Sequence, residues 1–547
     1  MKEKEYNLLD EPWIRVLNAK CETEQVSLTD ALLHAHEYVD LGGELETQDV
    51  VLLRWLLAVL HTVFSRTSPD GEESPLQEEE DAYDRWKELW DMGRFPKKPI
   101  REYLEKWRER FWLFHPDRPF CQVAGMKYGT RYDASKLNGE LSESSNKIRL
   151  FSSYGGNEKT GLSYDQAVRW LLYVNAYDDT SAKPSKEGKT LAKKNGVEME
   201  SPGVGWMGKL GLIIVKGSNL FETLMLNLVL VQVHRDGIIP LREQPVWEKD
   251  EVSDKERNRI SMPDNLSELY TLQSRRLLLR REDGSVTGYI LLGGDFFERE
   301  EAFIEPMTIW RRNKTRNTET DVPKRHDKEK QIWREFSSIY SGESCREPGV
   351  IAWNKALIEE GLIQDQGILR SQIVSVQYGD KDFFVNHVFS DEMSVQRGVI
   401  VQKGKKWQIY IQDEIEKCDE LAKEIGNLSQ KIYLASGGDE EKRFQVGNRA
   451  KEQLYYQVDV PFRKWIQSID VSDLEGERAK KMEWRKMARE IGFSCAEGLT
   501  VNLDAASYIG KTNLTKINGK EVNVHYSASK AINEFYVALN RIYPERG

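Results

Sequence analysis

The chain is expected to be an α+β protein, with a large mixed domain over residues 1–400 followed by an all-α four-helix bundle over residues 401–547. Three observations carry this expectation. At 547 residues the chain exceeds what a single core accommodates, so two or more domains are expected. Short apolar runs, such as residues 211–215 (GLIIV) and the pair within residues 373–389 (IVSVQYGDKDFFVNHVF), have strand length and stop at turn residues. From about residue 409 the pattern changes. Ile411, Ile415, Cys418, Leu421, Ile425, Leu428 and Ile432 recur at spacings of three and four, the period of one helix face.

Taken in order, residues 7–17 (NLLDEPWIRVL) turn at Asp10 to Pro12 and then alternate apolar and polar, as an early strand does. Residues 47–64 are apolar at helical spacing and form a core helix, in which Trp55 and His61 are packing residues. Residues 103–123 (YLEKWRERFWLFHPDRPFCQV) are dense in aromatics and broken by Pro116 and Pro119. His115 lies among them and is read as structural, because the chain has no H-E-x-x-H, no G-x-S-x-G and no neighbouring His/Cys cluster to partner it.

Residues 142–161 form a polar, glycine-bearing loop in which Phe151 is either a core anchor or a ring that stacks on a base. A helix over 163–177 leads into a long polar insertion, 178–200. Beyond the glycine-rich stretch, residues 221–233 read as buried, 247–264 as a charged loop, and 272–281 (LQSRRLLLRR) as arginines around an apolar run. Residues 311–330 carry eight Lys/Arg against four Asp/Glu and are either a solvated loop or a phosphate-contacting one. Residues 373–389 read as strand, turn, strand, with the tip at Tyr378 to Asp382. The helices of the bundle begin near 409, 448, 473 and 529; Pro461 is expected to kink or cap the second, and 492–525 reads as a long connection.

Residues 200–215 (ESPGVGWMGKLGLIIV) are the most informative stretch. Gly203, Gly205 and Gly208 satisfy G-x-G-x-x-G, and Gly203, Gly208 and Lys209 satisfy most of G-x-x-x-x-G-K-[ST]. Both patterns need a buried strand before the glycines and a helix after them to receive phosphates. Here polar residues precede, an apolar strand-like run follows, and Leu210 stands where a phosphate loop needs a hydroxyl. Two readings remain: a glycine loop whose backbone approaches nucleic acid closely beside Lys209, or an ordinary loop entering a hairpin.

Composition narrows the class. Hydrophobic residues make up 39% and charged residues 31%, there is no run of 18 apolar residues, and the start MKEKEYNLLDEPW has no apolar signal region, so a soluble cytoplasmic protein with no membrane partner is expected. Cys21, Cys121, Cys345, Cys418 and Cys495 are far apart, which argues against a zinc ribbon and against a disulfide framework. No catalytic constellation, metal site or cofactor is expected. The net charge of -10 disfavours general attraction to nucleic acid, but the charge is segregated: residues 70–91 are acidic and 311–330 basic, so one face can meet DNA within a larger assembly.

NLLDEPWIRV near the N-terminus and FWLFHPDRPFCQ about a hundred residues later resemble the CasA family, the large subunit of the type I-E CRISPR surveillance complex Cascade. SPGVG followed by a strand-like run and LMLNLVL fits the same family, as does a helical C-terminal region. The resemblance implies a non-enzymatic subunit that recognises the protospacer-adjacent motif in double-stranded DNA. It further implies opening of the adjacent duplex for R-loop formation and help in recruiting the helicase-nuclease. Implied partners are the small-subunit dimer, the backbone subunits, the subunit at the crRNA 5′ end, and crRNA itself.

The DNA-contacting residues it implies are Gly203, Val204, Gly205, Trp206 and Lys209 in the glycine loop and Gln377, Tyr378, Gly379, Asp380 and Lys381 in the wedge hairpin, with Phe151, Ser152 and Ser153 in a loop facing crRNA and DNA. The chain departs from the family in places. The family's next loop glycine falls on Trp206, its minor-groove lysine aligns near Glu301, its wedge glutamine has only Gln377 close by, with Lys381 or Asp382 nearer the tip, and the cysteine cluster of some relatives is missing. The rival classes are a phosphate-loop nucleotide hydrolase and an assembly scaffold without DNA contacts.

Overall fold

A computed structural model describes residues 4–143, 155, 157–180, 193–194, 197–198, 203–234, 237–240, 243–249, 260–314, 318–342, 345–517 and 520–545. The chain divides into two compact units. One comprises Met1–Lys328, Gly342–Ile363 and Arg370–Glu392; the other comprises Glu329–Ser341, Gln364–Leu369 and Met393–Gly547.

The first unit mixes helices with small antiparallel sheets. Near its N-terminus Ile14–Leu17 is the central strand of a three-stranded sheet, flanked by Thr23–Val26 and Asp40–Leu41. Helix α1 (Glu46–Phe64) follows and is buried almost throughout its length. By composition it is long and apolar enough to cross a bilayer, yet protein surrounds it. It even buries Arg54, because Glu305 meets that guanidinium with two hydrogen bonds of 2.9 Å. Trp55 and His61 are packing residues: Trp55 tilts against Phe120 and Trp247, and His61 packs edge-on to Tyr270.

Further along, past the helices Glu79–Met92 and Lys97–Lys106, come strand β1 (Thr130–Asp133) and helix α2 (Tyr164–Tyr177), the latter started by a capping box between Ser163 and Gln166. Strand β2 (Leu212–Lys216) is buried along most of its length, as its apolar run requires. The arginine-flanked run around residue 277 is strand β3 (Arg275–Glu282), which pairs with β4 (Ser285–Gly293), and β4 in turn pairs with β1. The basic segment that begins at Arg311 is not a plain loop. It contains the hairpin of β5 (Trp310–Lys314) and β6 (Glu319–Pro323), in which Arg312 is paired with Asp321 and Glu319 across the strands. The strand-turn-strand expected over 373–389 is present as β7 (Ile368–Tyr378) and β8 (Val385–Gln396), and β7 also pairs with β2 in the register Arg370↔Lys216 to Val374↔Leu212.

The second unit is helical: α3 (Lys405–Ala435), α4 (Arg443–Gln467), α5 (Glu477–Thr500) and α6 (Ala528–Ile542). An aromatic cluster closes its core, with Phe462 4.6 Å from both Trp333 and Trp484, and Trp465 5.5 Å from Trp484, between ring centroids. Helix α4 runs through Pro461 rather than ending there. The stretch expected as a connection is more ordered than that: α5 extends to Thr500, and a hairpin of β9 (Lys511–Ile517) and β10 (Lys520–Tyr526) follows, so the helical unit also contains a two-stranded sheet.

Candidate nucleic-acid interface

The glycine stretch starts as a turn held from beneath. Gly203 has φ +70°, and a Cβ placed there would meet no atom of the described residues within 4 Å. Its carbonyl accepts a hydrogen bond of 2.8 Å from Arg275, at the start of β3. Arg275 is itself buried and directs its other donors to the Asp178 carboxylate (2.5 Å), the Asp179 carbonyl (2.9 Å) and the Ser274 carbonyl (2.8 Å). One guanidinium therefore ties the turn to the end of α2.

The other glycines of the stretch serve packing. Gly205 donates its N–H to the Asp178 carbonyl at 2.9 Å, and a Cβ on it would stand 2.5 Å from the Ala176 carbonyl carbon. A Cβ on Gly208 would stand 3.0 Å from Cζ of Tyr378. Of the three, only Gly203 combines the left-handed backbone with space clear of described atoms, the arrangement a close external approach needs.

Residues 206–209 make one 3-10 turn that runs into β2. No helix N-terminus follows the glycines, so the phosphate-binding geometry of a nucleotide loop is not built here. Val204 and Trp206 are buried. The Trp206 indole N–H donates to Glu305 at 2.8 Å, and its ring lies 4.2 Å from that of Phe297. Glu305 thus receives Trp206 as well as Arg54, which anchors the turn in the core of the unit.

Lys209 is different. Its ammonium lies 5.6 Å from the centre of the Trp206 ring and makes no hydrogen bond or ion pair among the described residues. Burial, with Arg299 and Arg275 nearby, pushes its amine down to about 8. Glu298 and Glu300 offset this only in part, and neither touches the ammonium.

The hairpin β7–β8 is locked to this stretch. Tyr378 is buried, and its hydroxyl donates to the Tyr177 carbonyl at 2.7 Å; Ser375 Oγ donates to the Leu210 carbonyl at 3.1 Å. Beyond Tyr378 the tip turns sharply, with Gly379 donating to the Phe384 carbonyl at 2.9 Å. Lys381 (φ 55°), Asp382 (φ 58°) and Phe384 (φ 103°) all lie in the left-handed half of backbone space. Arg325 joins the two elements: Nε donates to the Gly208 carbonyl at 2.6 Å, while Nη1 and Nη2 grip Asp382 at 2.8 and 3.2 Å.

Residues 7–495 match the family described as CRISPR-associated protein Cse1. The chain belongs to the Cse1 family. The curated CRISPR-associated protein CasA/Cse1 of Thermus thermophilus is 28% identical to it over 450 residues, covering 80% of each chain. Among solved structures, Thermobifida fusca Cse1 shares the fold with a TM-score of 0.80 at 23% identity over 99% of both chains. Cse1 from Acidimicrobium ferrooxidans does so with a TM-score of 0.76 at 23% identity over 100% of both. A chain of a structure described as a CRISPR RNA-guided surveillance complex has a TM-score of 0.70 at 16% identity, over 98% of this chain and all of that one. The family expected from the two N-terminal motifs is the one found, and the mixed architecture with a helical C-terminal region is that of Cse1 structures.

Within this Cse1-family chain, the residues singled out in the sequence fall into three groups. Gly203, Lys209, Gly379, Asp380 and Lys381 lie on two elements that the structure brings together, and the side chains of Asp380 and Lys381 are exposed at the tip. Val204, Gly205, Trp206 and Tyr378 face inward, where their partners are protein atoms; Gln377 is half-buried on β7. Phe151, Ser152 and Ser153 lie outside the described residues. His115 has a structural task, since Nδ1 accepts the backbone N–H groups of Asp117 (3.1 Å) and Arg118 (2.9 Å). Arg275, Arg325 and Glu305 were not singled out. Arg325 sits inside the basic segment, but no spacing distinguishes it from its neighbours.

Proposed function

We propose that this chain is the large subunit of a guide-RNA surveillance complex in CRISPR defence. In that role it reads the protospacer-adjacent motif of duplex DNA through the glycine loop and loosens the neighbouring base step with the hairpin tip, so that guide pairing and R-loop formation can begin. It has no chemistry of its own and acts in the cytoplasm. It assembles with crRNA, the small-subunit dimer, the backbone subunits and the subunit at the crRNA 5′ end, and it helps recruit the helicase-nuclease. Membership of the Cse1 family and likeness to chains of CRISPR RNA-guided surveillance complexes support the assembly part of this reading.

The observation that carries the DNA part is the pairing of Gly203 with Lys209. The loop glycine whose Cβ position meets no described atom lies in the same short stretch as a buried cation that makes no direct hydrogen bond or ion pair among the described residues, with Glu298 and Glu300 only nearby. A phosphate would give Lys209 a direct partner, and a glycine without a side chain lets a groove edge come near. A chain that reads only a short duplex motif can leave the remaining specificity to guide pairing.

The test is a gel-shift panel of short duplexes differing only at the motif, with and without partner subunits. Gly203→Asp is the informative variant, because Asp tolerates positive φ and no described residue obstructs its side chain. It should remove motif-dependent binding while the thermal unfolding profile and assembly are kept. A folded, assembled Gly203→Asp that binds as the parent does would leave the chain a scaffold.

A further inference from the structure

The link between the glycine stretch and the hairpin tip has the make-up of a latch. Arg325 offers a flat fork to Asp382 with both Nη atoms, a geometry that carboxylates and phosphates satisfy equally well. The pair is not sealed: the two side chains are 30% and 39% exposed, and an ion pair so placed contributes little to stability. Below it, Nε stays fixed on the Gly208 carbonyl, and the guanidinium lies 4.9 Å from the centre of the Tyr378 ring, so the fork keeps its position when its partner changes.

What Asp382 holds is a strained turn. Three residues with side chains, Lys381, Asp382 and Phe384, have φ of 55°, 58° and 103°, conformations that persist only where neighbours impose them. Within the turn, Gly379 N–H donates to the Phe384 carbonyl at 2.9 Å and Asp382 N–H to the Gly379 carbonyl at 3.0 Å; from outside it, three contacts hold Lys381 and Asp382. Arg325 grips the Asp382 carboxylate, Thr180 Oγ1 donates to the Lys381 carbonyl at 2.7 Å, and the Thr180 N–H donates to the Asp382 carbonyl at 3.2 Å. Phe383 at the tip is 44% exposed.

We propose that Arg325 is a nucleic-acid phosphate contact held in reserve by Asp382, and that exchange of the Asp382 carboxylate for a DNA phosphate releases the hairpin tip. The inference rests on the DNA-binding reading above. A phosphate seated on Arg325 repels the displaced carboxylate, which drives the tip off Thr180 and lets the strained turn relax. Duplex arrival and tip release thereby become one event.

The test uses the full-length chain and a short labelled duplex lacking any motif, followed by fluorescence anisotropy at low salt. Asp382→Asn keeps the shape and removes the competing charge; it should tighten binding about two- to fivefold. Arg325→Gln should weaken binding and reduce the slope of log affinity against log salt by about 0.9, the value for one phosphate. In the Arg325→Gln background, Asp382→Asn should have no further effect. Amide exchange over residues 381–384 should quicken in the parent when duplex is added and be fast from the outset in Asp382→Asn. An Asp382→Asn variant that binds no tighter than the parent, a gain that survives in Arg325→Gln, or no measurable binding by the parent overturns the proposal. Loss of motif preference alone, seen on the motif-bearing panel, would instead count against the preceding reading and leave this cycle standing.

Discussion

Lys209→Met is the perturbation with the most to say about the interface, because it separates a cost to the fold from a benefit to binding. The Lys209 amine titrates at about 8 rather than its ordinary 10.5, chiefly through burial and then through Arg299 and Arg275. A displacement of that size corresponds to roughly 3 kcal/mol for a fully enclosed group. The side chain keeps some exposure, and the Trp206 ring gives a little back, so about 1–2 kcal/mol is the expected penalty in the native state.

The sign follows from proton counting. Between about 8 and 10.5 the unfolded chain holds the proton and the folded chain does not, so stability rises with pH across that window. The penalty is complete below about 8. Lys209→Met should therefore be more stable than the parent at pH 7, and the advantage should shrink as the pH approaches 10.5. Urea unfolding of both proteins at neutral and alkaline pH measures this. Duplex binding should move the opposite way: the variant binds more weakly at pH 7, and the parent takes up a proton on binding above pH 8, visible as a buffer-dependent calorimetric heat. A variant no more stable than the parent at pH 7, or an advantage that does not change with pH, would refute the argument that Lys209 is a buried cation kept without a direct ion-pair partner.

Three further outcomes are expected. Arg54→Met leaves the buried Glu305 carboxylate without its two guanidinium hydrogen bonds and should cost about 3–5 kcal/mol in urea unfolding, whatever its effect on DNA. His61 is buried, its Nε2 has no partner among the described residues, and burial pushes it down to about 3 from 6.5; the unfolded chain alone takes up a proton in that window, so His61→Leu should flatten the loss of stability between pH 6.5 and 3 by up to about 1.4 kcal/mol per pH unit. Replacing Lys381 and Phe383 with alanine should slow opening of a fully paired target more than it weakens initial binding, with pre-opened targets restoring the rate; unchanged opening, followed by a fluorescent base beside the motif, would move the wedge elsewhere.

The elements that follow from local pattern were legible in the sequence. The helix expected over 47–64 is Glu46–Phe64, and the hairpin of 373–389 has its turn where Gly379 stands, because apolar period and turn chemistry are properties of neighbours in the chain. The roles of individual site residues were not legible in the same way. Gly203, Gly205 and Gly208 are the same letter, yet one supplies a left-handed backbone and the others make room for Ala176 and Tyr378. Trp206 and Tyr378 look like surface rings beside a glycine loop, but each has its partner far away in sequence, at Glu305 and Tyr177. Arg275 read as one of several arginines flanking an apolar run, whereas the fold buries it as the support of the loop. Pairings of that range are set by tertiary packing, which no local period encodes.

The same long-range pairings bear on how a chain of net charge -10 can meet DNA at all. Around the candidate interface most arginines are already matched: Arg275 by Asp178, Arg312 by Asp321, Arg325 by Asp382 and, deeper, Arg54 by Glu305. General attraction to a duplex grows with the number of phosphates neutralised, so on the proposed reading such a surface would hold arbitrary DNA weakly. Lys209 and Lys381 are the exceptions near the loop and the tip, with amines that have no ion-pair partner among the described residues. In the proposed role this is an advantage, because a complex that must inspect many sites has to leave the wrong ones quickly. Affinity is then gained only where the groove admits the backbone at Gly203, a phosphate reaches Lys209 and the tip finds a step it can open, after which guide pairing supplies the rest.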